Sequence, residues 1–99
     1  MFGKNNLKKE GNKMKKANIV IENETGLHAR PATELAKLAM KYKCSINVIV
    51  NGKLIDAKSP LMIMSAGIKY KTELEIICDG ENEEKALEEV KSFLENNIG

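Results

Sequence analysis

The segment CSINVIVNGKLI, residues 44–55, gives the clearest structural signal in the chain. Apolar residues occupy every second position of its first part, which is the period of a strand with one buried face: Cys44, Ile46, Val48 and Val50. Asn51-Gly52 follows, a pair that favours a two-residue hairpin because both turn residues must take positive φ. Leu54-Ile55 then continues as the return strand. The segment therefore predicts an antiparallel β-hairpin.

A helix is predicted on each side of this hairpin. Pro31 suits the first turn of a helix, where its missing N–H is tolerated. Apolar residues then recur at the spacing of one helical face: Ala32, Leu35, Ala36, Ala39 and Tyr42. After the hairpin, Ser59-Pro60 is typical of an N-cap followed by the first helical residue. This second helix is short, because Gly67 is a stop signal.

Two further strands and one helix complete the pattern. Residues 17–21 and 73–78 each place an apolar side chain at every second position, and Asp79-Gly80 turns the chain after the latter. The last helix carries one apolar stripe: Ala86, Leu87, Val90, Phe93 and Leu94. The element order is therefore βαββαβα. It predicts an α+β domain with a four-stranded, mainly antiparallel sheet and three helices on one face.

The charge of the chain is concentrated at its beginning. The formal net charge of the 99 residues is +2, but residues 1–13 hold four lysines and one glutamate, and the remainder has 12 basic and 13 acidic residues. Residues 1–14 are predicted to be a disordered basic extension, or a leader translated ahead of a natural start at Met14, and residues 15–99 the folded domain. Because the domain is not basic, we expect no nucleic-acid partner.

The cysteines and the hydropathy of the chain argue against a zinc site, a membrane span and a signal peptide. Cys44 and Cys78 are far apart in sequence, and with a single histidine in the chain a Cys/His zinc site is not expected. Both are predicted to be buried free thiols. No apolar stretch is long enough to span a membrane, and the N-terminus lacks the apolar region of a signal peptide. The sequence therefore predicts a cytoplasmic protein with no metal and no cofactor.

His28 is the candidate reactive residue. It stands directly before the helix that contains Pro31, where unpartnered N–H groups and the helix dipole favour an anion. Arg30 adds a permanent positive charge that can contact phosphate oxygens. A neutral imidazole nitrogen here could attack a phosphoryl group and form a phosphoramidate. The chain has no phosphate-binding glycine loop and no second histidine, which predicts a carrier without independent turnover.

The residues from Gly26 to Ala32, GLHARPA, resemble the active-site signature of the HPr phosphocarriers of the bacterial sugar phosphotransferase system. Lys58-Ser59 with Met64-Ser65 resembles the second signature of that family, and the turn Asn51-Gly52-Lys53 has its counterpart there. The resemblance covers about residues 15–97. It implies the family's fold, an open-faced β-sandwich.

The resemblance also implies roles for individual residues. His28 would be phosphorylated on Nδ1 by enzyme I, Arg30 would stabilise the phosphohistidine, and the group would pass to an enzyme IIA domain of a sugar permease. Four residues would support the active site: Thr25, Gly26, Ala29 and Pro31. Three would belong to the surface on which partners dock: Thr33, Leu61 and Met64. For the pair Met62 and Met64, filling of the core is an equally good interpretation.

Ser59 would be the regulatory site of an HPr kinase/phosphorylase. Its phosphate would lie at a helix N-cap and would add negative charge to the docking face. After this serine the family carries an aliphatic residue and then Met-Gly, whereas this chain has Pro60-Leu61-Met62. The difference concerns recognition of Ser59 and leaves the His28 motif intact.

Three other functions are compatible with parts of the sequence. A regulatory paralogue would bind a transcription factor or a specialised phosphorelay partner, although such a protein would be expected to lack the histidine. A nucleic-acid-binding domain would depend on the basic tail alone. A purely structural domain would leave the grouping of His28, Arg30 and Pro31 unexplained. The phosphocarrier function, in a monomer, accounts for the most residues.

Overall fold

A computed structural model describes residues 14–96 of the chain. Its elements follow one another as β1 (Lys15–Val20), α1 (Ala29–Met40), β2 (Ser45–Val50), β3 (Lys53–Asp56), α2 (Pro60–Ser65), β4 (Glu73–Asp79) and α3 (Glu83–Asn96). This is the predicted order βαββαβα. The predicted N-terminal extension lies outside the described residues, except for Met14.

The four strands form one sheet in the order β1-β4-β2-β3, and all three pairings are antiparallel. The predicted fold class is therefore confirmed. The central strands β2 and β4 bury alternate residues on the same face of the sheet: Ile46, Val48, Val50, Leu74, Ile76 and Cys78. The helices pack on this face, with α3 against β1 and β4, α2 against β3, and α1 against both other helices.

The hairpin between β2 and β3 forms as its sequence predicts. Asn51 and Gly52 adopt φ of 53° and 79°, so both turn residues are left-handed. Cross-strand pairing then sets Val50 opposite Lys53 and Val48 opposite Ile55. Because the two-residue period is preserved across the turn, Ile55 is buried under the helices while Leu54 faces the opposite side of the sheet.

The two cysteines are buried and unbonded, as predicted. Burial raises the pKa of both thiols, and that of Cys78 reaches about 12. At neutral pH both are therefore protonated, and neither has the thiolate character that a nucleophile needs.

A hydrogen bond links the end of α1 to α3, two parts of the chain that are distant in sequence. The hydroxyl of Tyr42, which follows α1, donates to a carboxylate oxygen of Glu89 in α3. This bond, together with burial, raises the pKa of Tyr42 from 10.0 to about 12. Because the pKa is raised on folding, the neutral phenol stabilises the fold below pH 10, and this contribution is lost as the pH rises towards 12.

Tyr42→Phe is expected to lower the free energy of unfolding by about 1 kcal/mol near neutral pH, because one hydrogen bond is lost. The difference between wild type and variant should shrink as the pH rises from about 10 towards 12, where wild-type Tyr42 ionises. Urea unfolding of both proteins near neutral pH and at the alkaline limit measures this. A difference that does not change with pH would mean that the hydroxyl contributes nothing through Glu89.

Candidate functional site

The loop between β1 and α1 is tied to the segment between α2 and β4. The amide of Leu27 donates to the carbonyl of Ile68 at 3.0 Å, and Ile21 exchanges backbone bonds with Lys71 and Thr72 at 2.7 and 2.9 Å. Leu27 and Ile68 are both buried. The backbone just before His28 is therefore held in place by a segment some forty residues further along the chain.

Gly26 lies at the closest approach of these two segments. Its φ is +68°, and a Cβ at this position would lie 2.6 Å from the carbonyl oxygen of Ile68 and 2.9 Å from Cα of Lys69. Both neighbours are backbone atoms, which cannot rotate away. A glycine is thus required for two reasons, its left-handed conformation and the space.

Asn23 orders the tip of the same loop. Its Nδ2 donates to Oγ1 of Thr25 at 2.7 Å and to the carbonyl oxygen of Gly26 at 3.2 Å. Thr25 thus lies in an ordered loop three residues before His28. Asn23 itself was missed by the sequence analysis, although asparagine in a loop commonly bonds to residues just after it.

His28 is the N-cap of α1, with extended backbone angles φ −92° and ψ −164°, and its imidazole is exposed. Its carbonyl accepts the first intrahelical bond, from Ala32 N at 3.0 Å. Its side chain makes no capping hydrogen bond. An N-cap side chain normally bonds to the second or third helical amide, and here the third residue is Pro31, which has none. Of the two usual donors only the amide of Arg30 remains, and the His28 side chain does not bond to it.

The first turn of α1 is suited to an anion. The amides of Ala29 and Arg30 have no intrahelical acceptor, the positive end of the helix dipole lies there, and no acidic residue occupies this turn. Pro31 is buried and anchors the turn to the core.

Arg30 and Thr33 occupy the outer side of this helix. The Arg30 side chain is 84% exposed, and its Nε lies 3.7 Å from Oε2 of Glu34, one turn further along. The hydroxyl of Thr33 donates to the carbonyl of Ala29 at 2.9 Å. Both residues are exposed, two and five positions after His28.

Of the three predicted docking residues, Thr33 lies on α1, and Leu61 and Met64 lie on α2. Ser59 is its N-cap, and Oγ accepts a hydrogen bond from the amide of Met62 at 3.2 Å. Leu61, Met62 and Met64 are exposed, Leu61 by 71%, and only Ile63 is buried in this helix. The interpretation of Met62 and Met64 as core residues is therefore wrong. We call Leu61, Met62 and Met64 the α2 patch.

The packing of α1 on α2 brings the His28 loop close to the predicted docking residues of α2. α1 packs against α2, and Ile68, which bonds to the His28 loop, follows the end of α2 by three residues. Lys69 and Tyr70 follow Ile68 in this segment and are exposed. The sequence analysis did not single out Ile68 or Lys69, because only the fold brings them to Gly26.

Within residues 14–96, no group of three or more histidine, cysteine, aspartate or glutamate side chains could hold a metal ion. In the same part of the chain, no helix has the length and apolar character needed to cross a membrane.

Comparison with known proteins gives consistent results. A family model described as "PTS HPr component phosphorylation site" matches residues 15–96. The "Phosphocarrier protein HPr" of Mycoplasma capricolum is 40% identical over 81 residues, 82% of this chain and 91% of that protein.

Solved structures of similar proteins have the same fold. HPr from Thermoanaerobacter tengcongensis superposes with a TM-score of 0.77 at 35% identity, over 81% of this chain and 90% of that one. Crh, a catabolite repression protein of Bacillus subtilis described as a swapped, intertwined dimer, gives a TM-score of 0.66 at 32% identity, over 77% of this chain and 87% of that one.

Proposed function

Because this chain belongs to the HPr family of phosphotransferase-system phosphocarriers, we propose that it accepts a phosphoryl group on His28 from phospho-enzyme I and passes it to enzyme IIA domains of sugar permeases. The observation that carries the proposal is that the imidazole of His28, at the N-terminus of α1, is exposed and makes no capping hydrogen bond. Residues 15–99 would form the carrier domain, in a cytoplasmic monomer.

The geometry of the first turn supports the following transfer step. The lone pair of Nδ1 of His28 would form a bond to phosphorus as the bond from phosphorus to the donor breaks, and the electron pair of that bond would leave with the donor. The transferred oxygens would be stabilised by the amides of Ala29 and Arg30 and by the Arg30 guanidinium. These contacts are solvent-exposed and individually weak, which suits a group that must leave again.

The remaining residues support this step. Gly26 and Thr25 help to order the loop, and Pro31 lacks one of the two amides to which the His28 side chain could bond as an N-cap. A phosphate on Ser59, placed by an HPr kinase/phosphorylase, would add negative charge beside the α2 patch and oppose docking there. The hydrogen bond from Met62 to Ser59 Oγ would be replaced by bonds to phosphate oxygens.

A transfer assay tests the function directly. The protein is incubated with phosphoenolpyruvate and a catalytic amount of enzyme I from a low-GC bacterium, and its intact mass is measured before and after acid treatment. We expect one phosphate increment that acid removes, as for a phosphohistidine. If an HPr of known activity is charged in the same tube and this chain is not, the proposal is wrong.

The α2 patch provides a separate prediction about docking. Leu61→Glu is expected to slow phosphorylation by enzyme I by about tenfold or more at low protein concentration, since it puts a charge at the centre of an apolar contact. Leu54→Glu is the matched control, because Leu54 is 59% exposed but faces the other side of the sheet. Equal rates for the two variants would exclude the patch as the docking surface.

A regulatory paralogue is the second candidate function. It is favoured by the likeness to Crh and by the altered residues Pro60-Leu61-Met62 after Ser59. Such a protein would bind a transcription factor or a specialised relay partner through the same patch. The transfer assay separates the two candidates, because a protein with this function alone would not be charged by enzyme I.

A further inference from the structure

The guanidinium of Arg30 is paired within its own helix. Its Nε lies 3.7 Å from Oε2 of Glu34, at the i, i+4 spacing that places two side chains on the same helix face. Arg30 is also the cationic side chain closest in sequence to His28. The group that would contact the phosphoryl oxygens is thus already engaged by a carboxylate of the chain.

Glu34 is the first acidic side chain after His28. The first turn of α1 contains none, and the residues from Pro31 to Thr33 are uncharged. An otherwise favourable site for an anion therefore has a carboxylate one turn away that pairs with Arg30.

Phosphorylation would set two anions in competition for one cation. Before transfer Arg30 pairs with Glu34. Afterwards a phosphoryl group with more charge and three acceptor oxygens would be bound to the N-cap residue, two positions before Arg30. Each contact that Arg30 makes to the phosphate must replace, at least in part, its pairing with Glu34.

We propose that Glu34 weakens the hold of the site on its phosphoryl group by competing for Arg30, and so favours release to the acceptor. The inference rests on the proposed function, since it concerns the phosphorylated form of His28. Glu34 is a positioning residue, because it acts through Arg30 and touches no reacting atom. The pair is exposed, so its effect is small, about twofold on the equilibrium.

An equilibrium competition measures this effect. Unlabelled Glu34→Gln and ¹⁵N-labelled wild type are mixed with a limiting amount of phosphoenolpyruvate and a catalytic amount of enzyme I. The enzyme redistributes phosphoryl groups between the two chains until equilibrium. Intact masses give the phosphorylated fraction of each. We expect the variant to hold about twice the share of wild type. When the unlabelled double variant Arg30→Gln/Glu34→Gln competes with ¹⁵N-labelled Arg30→Gln, the two phosphorylated fractions should be nearly equal.

Glu95→Gln serves as the matched control. It removes the same charge and breaks another exposed i, i+4 pair, Lys91 with Glu95 at 3.9 Å in α3, and its ratio should stay near one. Equal shares for Glu34→Gln and wild type would overturn the inference. So would an undiminished shift in the Arg30→Gln background, which would indicate direct repulsion, or an equal shift for Glu95→Gln. Absence of charging in wild type would overturn the proposed function itself, and this inference with it.

Discussion

His28→Ala is expected to lose phosphoryl uptake from enzyme I completely. His28 is the only histidine of the chain, and its exposed imidazole, at the anion-favouring end of α1, is the proposed nucleophile. No other side chain can form the acid-labile phosphoramidate at this position. Intact mass after incubation with phosphoenolpyruvate and enzyme I should show no increment, while wild type in a parallel tube is charged.

The fold of His28→Ala should be unchanged, so loss of uptake would report chemistry alone. The His28 side chain is exposed and makes no capping hydrogen bond, and we expect the free energy of unfolding to change by less than about 0.5 kcal/mol. An increment that persists in the variant, or one in wild type that resists acid, would assign the phosphate to another residue. Ser59 would then be the first to test, since phosphoserine is stable to acid.

Gly26→Ala is expected to cause a large loss of stability. The residue must keep a φ of +68°, which costs about 1–2 kcal/mol for a residue with a Cβ. The new methyl group would lie 2.6 Å from the carbonyl oxygen of Ile68, and overpacking against fixed atoms typically adds about 1–3 kcal/mol. The sum is about 3 kcal/mol in the free energy of unfolding, measured by urea denaturation.

Comparison with Gly52→Ala isolates the steric part of this effect. Gly52 also has a positive φ, +79°, but a Cβ there would meet no atom within 4 Å. It should therefore cost only the conformational part, about 1 kcal/mol. If the two variants lose the same stability, the contact between Gly26 and Ile68 does not constrain the His28 loop in solution.

The Gly26 contact also links stability to function. The bond from Leu27 to Ile68 fixes the residue immediately before His28. Relief of the clash in Gly26→Ala would have to move this loop away from the segment after α2. Since the imidazole and the α2 patch belong to helices that pack together, such a shift would alter their relative position.

Local signals in the sequence sufficed to predict the secondary structure and to single out His28 as the candidate reactive residue. The Asn51-Gly52 turn and the Ser59 cap depend on backbone angles of a few consecutive residues, which the side chains themselves restrict. The strand period is likewise a local property. His28 could be singled out because its neighbours along the chain, Arg30 and Pro31, supply the charge and the helix start.

Short segments and long-range contacts could not be predicted in the same way. The six residues of α2 are too few to show a helical period, so the exposure of Met62 and Met64 was decided by Ile63 entering the core. The sheet order β1-β4-β2-β3 places the last strand in the interior, between strands that precede it in sequence. Packing of the whole layer selects that arrangement.

The sequence by itself determined which elements form and which residue is the candidate for the chemistry, because backbone preference and periodicity act over a few residues. Only the tertiary structure decided what surrounds that residue. It set Gly26 against Ile68, and it joined Tyr42 to Glu89 across 47 positions. Such contacts depend on how distant segments share one buried face, which no local pattern encodes.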